Sequence, residues 1–406
     1  MLDIPVKKPK TQRKLLMNHL PKCAGNAMGA SFKVALGEDK VHEVSRPDLI
    51  GLGEALEINL SDYEFIFGHF SLGQENMYPA YPRRFTVMRE PVSRMLSAAG
   101  FLQKLKDTND PVAALLPSLT LRDYVFSAEP LIREATWNQQ SRQLLGYPSY
   151  GEMSETDAEE LVRSRAGLLE RFDLMGIYEE LQATYDLIAW RFELPRFDSR
   201  LAVNVTGDRR NLDIEPDIRE EILRANRVDV ALYNYAAQRF RADVDRMHGD
   251  LIARHYFAAH HDERPAEVDE KGGATTIELS GPTPGSGWYT RSVDRNGRAY
   301  RWAVGGSASQ LYLWQGQAPI LKIRIFVAAW ASGVSSQDLT VSVDGEPRPF
   351  RLVTQRTQGA IIVLWARFDP KREGRVVSIR SRKWREPVPE DGRSLVFGVR
   401  QVVYSA

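Results

Sequence analysis

The stretch RKLLMNHLPKCAGNAMGASF, Arg13 to Phe32, constrains the fold of this chain more than any other. Leu15, Leu16 and Met17 form a short apolar run beside Leu20, the pattern of a strand buried near the start of an α/β sheet. Pro21 ends it. Lys22, Cys23, Ala24, Gly25 and Asn26 make a turn of small residues with one lysine, and Ala27, Met28, Ala30 and Phe32 open a helix. A strand, a small-residue turn and a helix N-terminus together make an anion site. The first helical amides lack internal partners, and the helix dipole favours negative charge there. Ala24 and Gly25 let an anionic group approach the backbone, and Lys22 adds a full positive charge. The lysine precedes the glycine and no Ser/Thr follows as a magnesium ligand, so this is not a Walker loop. From the stretch alone, phosphate or sulfate binding stands level with an ordinary strand-to-helix turn carrying a solvated lysine.

The 406 residues suffice for two domains and a large core. Hydrophobic content of 43% and charged content of 26% are those of a soluble globular protein. A formal net charge of +1 gives no global signal for nucleic acid, and the basic start from Lys7 to Lys14 reads as a solvated tail. No apolar run approaches the roughly 18 residues of a membrane span, and no secretory signal is visible. A single cysteine excludes an intrachain disulfide, and the expectation is a cytoplasmic protein.

Along the chain, DYEFIFGHF (Asp62 to Phe70) reads as a second strand ending in Gly68 and His69, and RFTVM (Arg84 to Met88) as a third, running into Arg89, Glu90 and Pro91. Pro91 suits the first position of a helix carrying Val92, Met95, Leu96, Ala99 and Leu102. In parallel sheets, ligands gather outside such strand ends. Helical patterns dominate from Leu121 to Leu194, with Asn138, Gln139, Gln140 and Arg142 together, a short strand predicted over Phe172 to Tyr178, and a further helix over Ile214 to His248. His42 sits in a loop-like stretch. HHDERPAEVDEKGG (His260 to Gly273) reads as a linker. Short β-rich runs follow, at Gln310 to Trp314, Leu321 to Val327, Leu339 to Val343, Ala360 to Phe368 and Val376 to Ile379. Turns at Asp344-Gly345 and Asp391-Gly392 fit an antiparallel β-sandwich. Six of the eight tryptophans lie here: Trp288, Trp302, Trp314, Trp330, Trp365 and Trp384. Core packing is the first reading for them and glycan stacking the second.

HLPKCAGNAM (His19 to Met28) resembles the 5′-phosphosulfate loop of sulfotransferases that use 3′-phosphoadenosine-5′-phosphosulfate (PAPS), and FTVMREPVSRMLSA (Phe85 to Ala98) resembles their 3′-phosphate motif. FGHF (Phe67 to Phe70), NQQSR (Asn138 to Arg142) and MGIYEEL (Met175 to Leu181) also resemble segments of the carbohydrate branch that includes heparan sulfate 2-O-sulfotransferase, in the same order. The resemblance covers residues 13 to 245 and leaves 265 to 406 unaccounted for.

It implies that Lys22 contacts the 5′-phosphosulfate with the backbone of Cys23, Ala24, Gly25, Asn26 and Ala27 around it, and that Arg89 and Ser97 hold the 3′-phosphate. An arginine fork matches a phosphate, and a serine hydroxyl adds a donor. Read as a helix-face cation, Arg94 is merely solvated. His69 is the candidate general base, since an acceptor hydroxyl must lose its proton as it attacks sulfur; His19 is the one serious rival. Lys22 also meets the charge that grows on the leaving oxygen. Asn138 and Arg142 are candidate acceptor contacts, and Arg209, in NVTGDRR, a candidate cofactor contact beside Arg210. Cys23 reads as a small loop residue open to oxidation. The scheme calls for no metal and releases 3′-phosphoadenosine-5′-phosphate (PAP).

The expected architecture is α/β: a P-loop-like parallel sheet flanked by helices over 1–260, a linker over 261–274, and an antiparallel β-sandwich over 275–406 that binds carbohydrate or mediates self-association. The expected partner is a carbohydrate or glycolipid acceptor, with neither nucleic acid nor a membrane span. Two other readings stay open: a P-loop-type kinase, which magnesium dependence would reveal, and a non-enzymatic glycan-binding protein working through the C-terminal domain.

Overall fold

A computed structural model describes residues 14–44, 60–102, 119–146, 153–195, 197, 214–265, 273–280, 284–294, 296–315, 320–355, 359–367, 372–387 and 393–405. The chain divides into two compact units, Met1–Val244 and Asp245–Ala406.

In the first unit, strands β1 (Leu15–Asn18), β2 (Val41–Val44), β3 (Phe65–Gly68), β4 (Arg83–Met88) and β5 (Leu174–Ile177) form one parallel sheet in the order β2-β3-β1-β4-β5. Leu15, Leu16, Met17, Phe65, Ile66, Phe85, Val87 and Met88 are fully buried, as expected for a parallel sheet covered on both faces. Among the described residues nine helices accompany it: α1 (Gly25–Leu36), α2 (Pro91–Leu102), α3 (Leu121–Phe126), α4 (Pro130–Thr136), α5 (Gln139–Leu145), α6 (Glu155–Ser164), α7 (Ala166–Leu169), α8 (Leu181–Phe192) and α9 (Pro216–Ala225). A tenth, α10 (Arg227–Ala259), begins in this unit. Phe32 of α1 stacks on Phe65 at 3.9 Å, and Phe65 and Phe85 stack at 5.9 Å. Each such fully buried side chain contributes about 1.5–3 kcal/mol. Gly29 lets α1 lie this close, because a Cβ there would stand 2.6 Å from the Phe67 ring. His42 belongs to β2 and not to a loop.

Strand register sets where the site falls. β1 is central, and its last residue, Asn18, pairs with Gly68 of β3 on one side and Thr86 of β4 on the other. The chain leaves β1 for the β2–β3 side and returns to the opposite side with β4. The segments after β1, β3 and β4 therefore meet at one C-terminal edge, a switch point of the sheet.

Among its described residues the second unit holds two antiparallel sheets. The five-stranded one includes β7 (Gly285–Ser286), β10 (Ser309–Trp314), β12 (Leu339–Val343), β13 (Glu346–Pro347) and β16 (Gly374–Ser381). The seven-stranded one includes β6 (Ala274–Glu278), β8 (Trp288–Val293), β9 (Ala299–Val304), β11 (Ile320–Trp330), β14 (Arg351–Gln355), β15 (Gly359–Arg367) and β17 (Leu395–Ser405). Alternate residues from both, such as Leu311, Val341 and Val377 with Ile323, Ile362 and Val402, fill one core. Asp344 and Gly345 take the positive φ values, 53° and 80°, of a primed hairpin turn between β12 and β13. The other anticipated turn, Asp391-Gly392, lies outside the described residues. Ala253 and Phe257 of α10 join this core, which is why the division between units falls within that helix, before the 261–274 segment read as a linker. Trp314 is buried in the core, and Trp288, Trp302, Trp330 and Trp384 pack against it; Trp365 is 42% exposed. Among the described residues, no helix is long and apolar enough to cross a membrane.

Candidate functional site

The turn after β1 is strained where it is tightest. Lys22 and Ala24 both adopt left-handed backbone, at φ 66° and 70°. Non-glycine residues pay of order 1–3 kcal/mol each for such geometry, so the surroundings must enforce it. The enforcement comes from Cys23. Its buried thiol donates to Gln140 Oε1 at 3.5 Å, and its backbone N–H donates to the Leu20 carbonyl at 3.1 Å. Helix α1 then starts with no side-chain cap, and its first intrahelical bond runs from Met28 N–H to the Ala24 carbonyl. Gly25, Asn26 and Ala27 thus present the helix N-terminal amides expected of an anion-binding turn. Burial pushes the Cys23 thiol up to about 12, against the pull of Arg94 and Arg89. That corrects the expectation of an oxidation-prone thiol, because the reactive thiolate is suppressed at neutral pH.

Arg89 ties this turn to the segment after β4. Its guanidinium donates to the Lys22 carbonyl at 3.1 Å and, through Nε, to Ser93 Oγ at 3.0 Å; its plane lies over Tyr178, 4.0 Å from the ring centroid. Ser97 sits one helical turn beyond Ser93 on α2, and Phe101 one turn beyond that. Lys22 Nζ rests 3.9 Å from the Phe101 ring centroid. Lys22, Arg89 and α2, which carries Ser97, are therefore brought together. Ser93, Tyr178 and Phe101 are further members that sequence reasoning missed; the i, i+4 spacing from Arg89 was the available signal for Ser93, and the other two are joined only by tertiary contacts. Glu90 accepts from the N–H groups of Val92 and Ser93, holding the start of α2. Arg94, read as a solvated cation, is fully buried and donates to Gln139 Oε1 and the Thr136 carbonyl.

The two histidines stack at 4.4 Å between ring centroids. They differ in every other respect. His19 is buried against Gly25, where a Cβ would stand 2.0 Å from the imidazole. Burial, and to a lesser degree the neighbouring His69 and Lys22 charges, holds its pKa down to about 3. His69 is exposed, and its Nδ1 lies 2.7 Å from the His19 carbonyl oxygen. A carbonyl only accepts, so Nδ1 carries the hydrogen and Nε2 keeps its lone pair. The same carbonyl accepts from Gln143 Nε2 at 3.0 Å, fixing it in place.

His19 makes folding pH-dependent with a definite sign. Below the ordinary value of 6.5 the unfolded chain takes up a proton that the folded chain refuses until about pH 3. Stability contributed here is complete above that window and is lost as pH falls through it, by about 3 kcal/mol near pH 4.5. Urea midpoints from pH 7 to 4 are expected to fall more steeply for wild type than for His19→Asn; parallel profiles would contradict the assignment.

Asn138 takes a structural role in place of the anticipated acceptor contact. It is 2% exposed, and its Oδ1 accepts from Val228 and Asp229 N–H at 3.1 Å each, capping α10. In return Asp229 accepts from Gln140 N–H at 3.1 Å and from Ser141 N–H and Oγ at 2.7 Å each, capping α5. Gln140, thus fixed, grips Arg89 by both backbone groups, at 3.0 and 2.9 Å. Arg142 turns to the Glu134 carbonyl at 2.6 Å and its carboxylate at 3.4 Å. Arg209 and Arg210 lie outside the described residues. Among the described residues no group of three His, Cys, Asp or Glu is arranged to hold a metal ion.

No family model and no curated protein matches the chain. Among solved structures, a family GH115 4-O-methyl-alpha-glucuronidase with specificity for decorated arabinogalactans aligns at 8% identity and a TM-score of 0.22, over 90% of this chain and 50% of its own. A sulfotransferase from Alicyclobacillus acidocaldarius aligns at 16% identity and a TM-score of 0.32, over 57% of this chain and 99% of its own.

Proposed function

We propose that this chain is a PAPS-dependent sulfotransferase acting on a hydroxyl of a carbohydrate or glycolipid, in the branch its motifs resemble. The observation that carries the reading is the bond from Arg89 to the Lys22 carbonyl. It joins the two segments whose motifs resemble the two phosphate-binding ends of one nucleotide site. A turn with an uncapped helix start and two cations suits a donor with anionic groups at both ends.

In this reading Lys22 and the amides of Gly25 to Ala27 bind the phosphosulfate, while Arg89, with Ser93 or Ser97, binds the 3′-phosphate. Nε2 of His69 accepts the acceptor hydroxyl's proton as that oxygen bonds to sulfur. The bond from sulfur to the 5′-phosphate oxygen breaks, and PAP leaves with the charge that Lys22 neutralises. His19, kept neutral by burial, adds no competing charge beneath His69. Calorimetric titration of PAP tests the reading: the wild-type protein is expected to bind, and Lys22→Ala and Arg89→Ala to bind about ten- to a hundredfold more weakly, as for loss of a charged hydrogen bond.

A further inference from the structure

The outer face of the seven-stranded sheet carries an arrangement that the transferase reading leaves unused. Register places Lys322 opposite Trp365, and Arg324 opposite Val363, with Arg351 on the far side of Val363. Phe326, Ile361 and Val353 form the next row. Side chains alternate along a strand, so these residues point away from the core that Ile323, Ile325, Ile362 and Leu364 fill. They line a cleft of about 380 Å³. Its floor is apolar, its one indole is 42% exposed, and no carboxylate is among its lining residues. The Arg351 guanidinium carbon stands 5.9 Å from the Trp365 ring centroid. Nε of Arg324 is buried and has no hydrogen-bond partner among the described residues. A buried charged donor left unpaired is costly, and an anion reaching into the cleft would satisfy it.

We propose that this face binds an acidic carbohydrate, with a sugar ring against Trp365 and its sulfate or carboxylate groups held by Lys322, Arg324 and Arg351. Three cations with no carboxylate among the cleft's lining residues call for an anion. An exposed indole beside an apolar strip calls for a ligand that also has a flat C–H face, which inorganic anions lack. The size of the patch points the same way. With strands about 4.8 Å apart and a rise of about 3.3 Å per residue, the cations and the Trp span roughly 10 by 7 Å, and the patch with its apolar next row roughly 10 by 13 Å. That suits a short oligosaccharide and falls far below the roughly 800 Å² a stable protein partner covers. The net charge of +1 supplies no wider positive field of the kind that steers nucleic acid.

The test is fluorescence anisotropy of a labelled heparin-derived hexasaccharide with the full-length protein, without nucleotide. Saturable binding is expected, weakened about tenfold by Trp365→Ala and by Arg351→Gln, and weakened by added salt. The desulfated, carboxyl-reduced hexasaccharide is expected not to bind. Both side chains are exposed, and unchanged urea midpoints will show that the variants fold. Binding unchanged in both variants, equal binding of the neutral sugar, or tighter binding of single-stranded oligo-dT or phosphatidylserine vesicles would overturn the proposal. Because the readout needs neither PAP nor transfer, its failure is distinct from failure of the transferase reading.

Discussion

His69→Ala is expected to lower kcat for sulfuryl transfer by about 10²–10⁴ while leaving PAP binding at its wild-type value. The size follows from the role: a positioned base acts only as the acceptor proton moves, so its loss appears in kcat and not in nucleotide affinity. The geometry makes the prediction specific to one nitrogen. The His19 carbonyl engages Nδ1, leaving Nε2 to take the proton. His19 does not serve in its place, because it is buried and holds its pKa near 3. Exogenous imidazole is expected to restore part of the alanine variant's rate. A His69→Ala enzyme within about threefold of wild type in single-turnover transfer would place the base elsewhere.

Asp229→Ala is expected to destabilise the first unit by about 3–5 kcal/mol. The carboxylate is fully buried and receives three hydrogen bonds from α5. Its removal leaves the buried N–H groups of Gln140 and Ser141 unpaired, each costing about 1–3 kcal/mol before relaxation, while the Ser141 hydroxyl keeps the Asn138 carbonyl as an acceptor. It also frees Gln140, and with it the grip on Arg89 and the contact to Cys23. PAP affinity is therefore expected to fall along with the urea midpoint, although Asp229 touches neither Lys22 nor Arg89 in any described contact. Asp229→Asn keeps the shape and one acceptor oxygen, and is expected to cost less. An alanine variant with an unchanged midpoint would remove Asp229 from the scaffold.

What the sequence made legible was local. The run from β1 through the turn into α1 is specified by neighbouring residues, as are the strand ends carrying His69 and Arg89. Parallel register then does the rest, since three strand ends beside one another bring their following residues to one edge. β2 escaped notice because VHEV is a four-residue strand interrupted by two polar side chains. β14 and β17 escaped for different reasons: RLVTQ lies at a sheet edge, and LVFGVRQVVYS is broken by a glycine and a register shift. The roles of Asn138, Gln140 and Asp229 were illegible because reciprocal capping joins residues about ninety positions apart, which no periodicity records. Arg94 looked solvated because a helical cation carries no mark of burial in sequence. Its partners are the last residue of α4, Thr136, and the first of α5, Gln139. The tryptophans separated only in three dimensions, where Trp365 alone of the six falls on an outward, open position.

The central claim is a nucleotide site built from the turn after β1 and the segment after β4. Calorimetric titration of PAP into the wild-type, Lys22→Ala and Arg89→Ala proteins tests it most directly. The account predicts one PAP per chain for wild type and about ten- to a hundredfold weaker binding in each variant. A folded wild-type protein that takes up no PAP, or variants that bind it as wild type does, would contradict the claim.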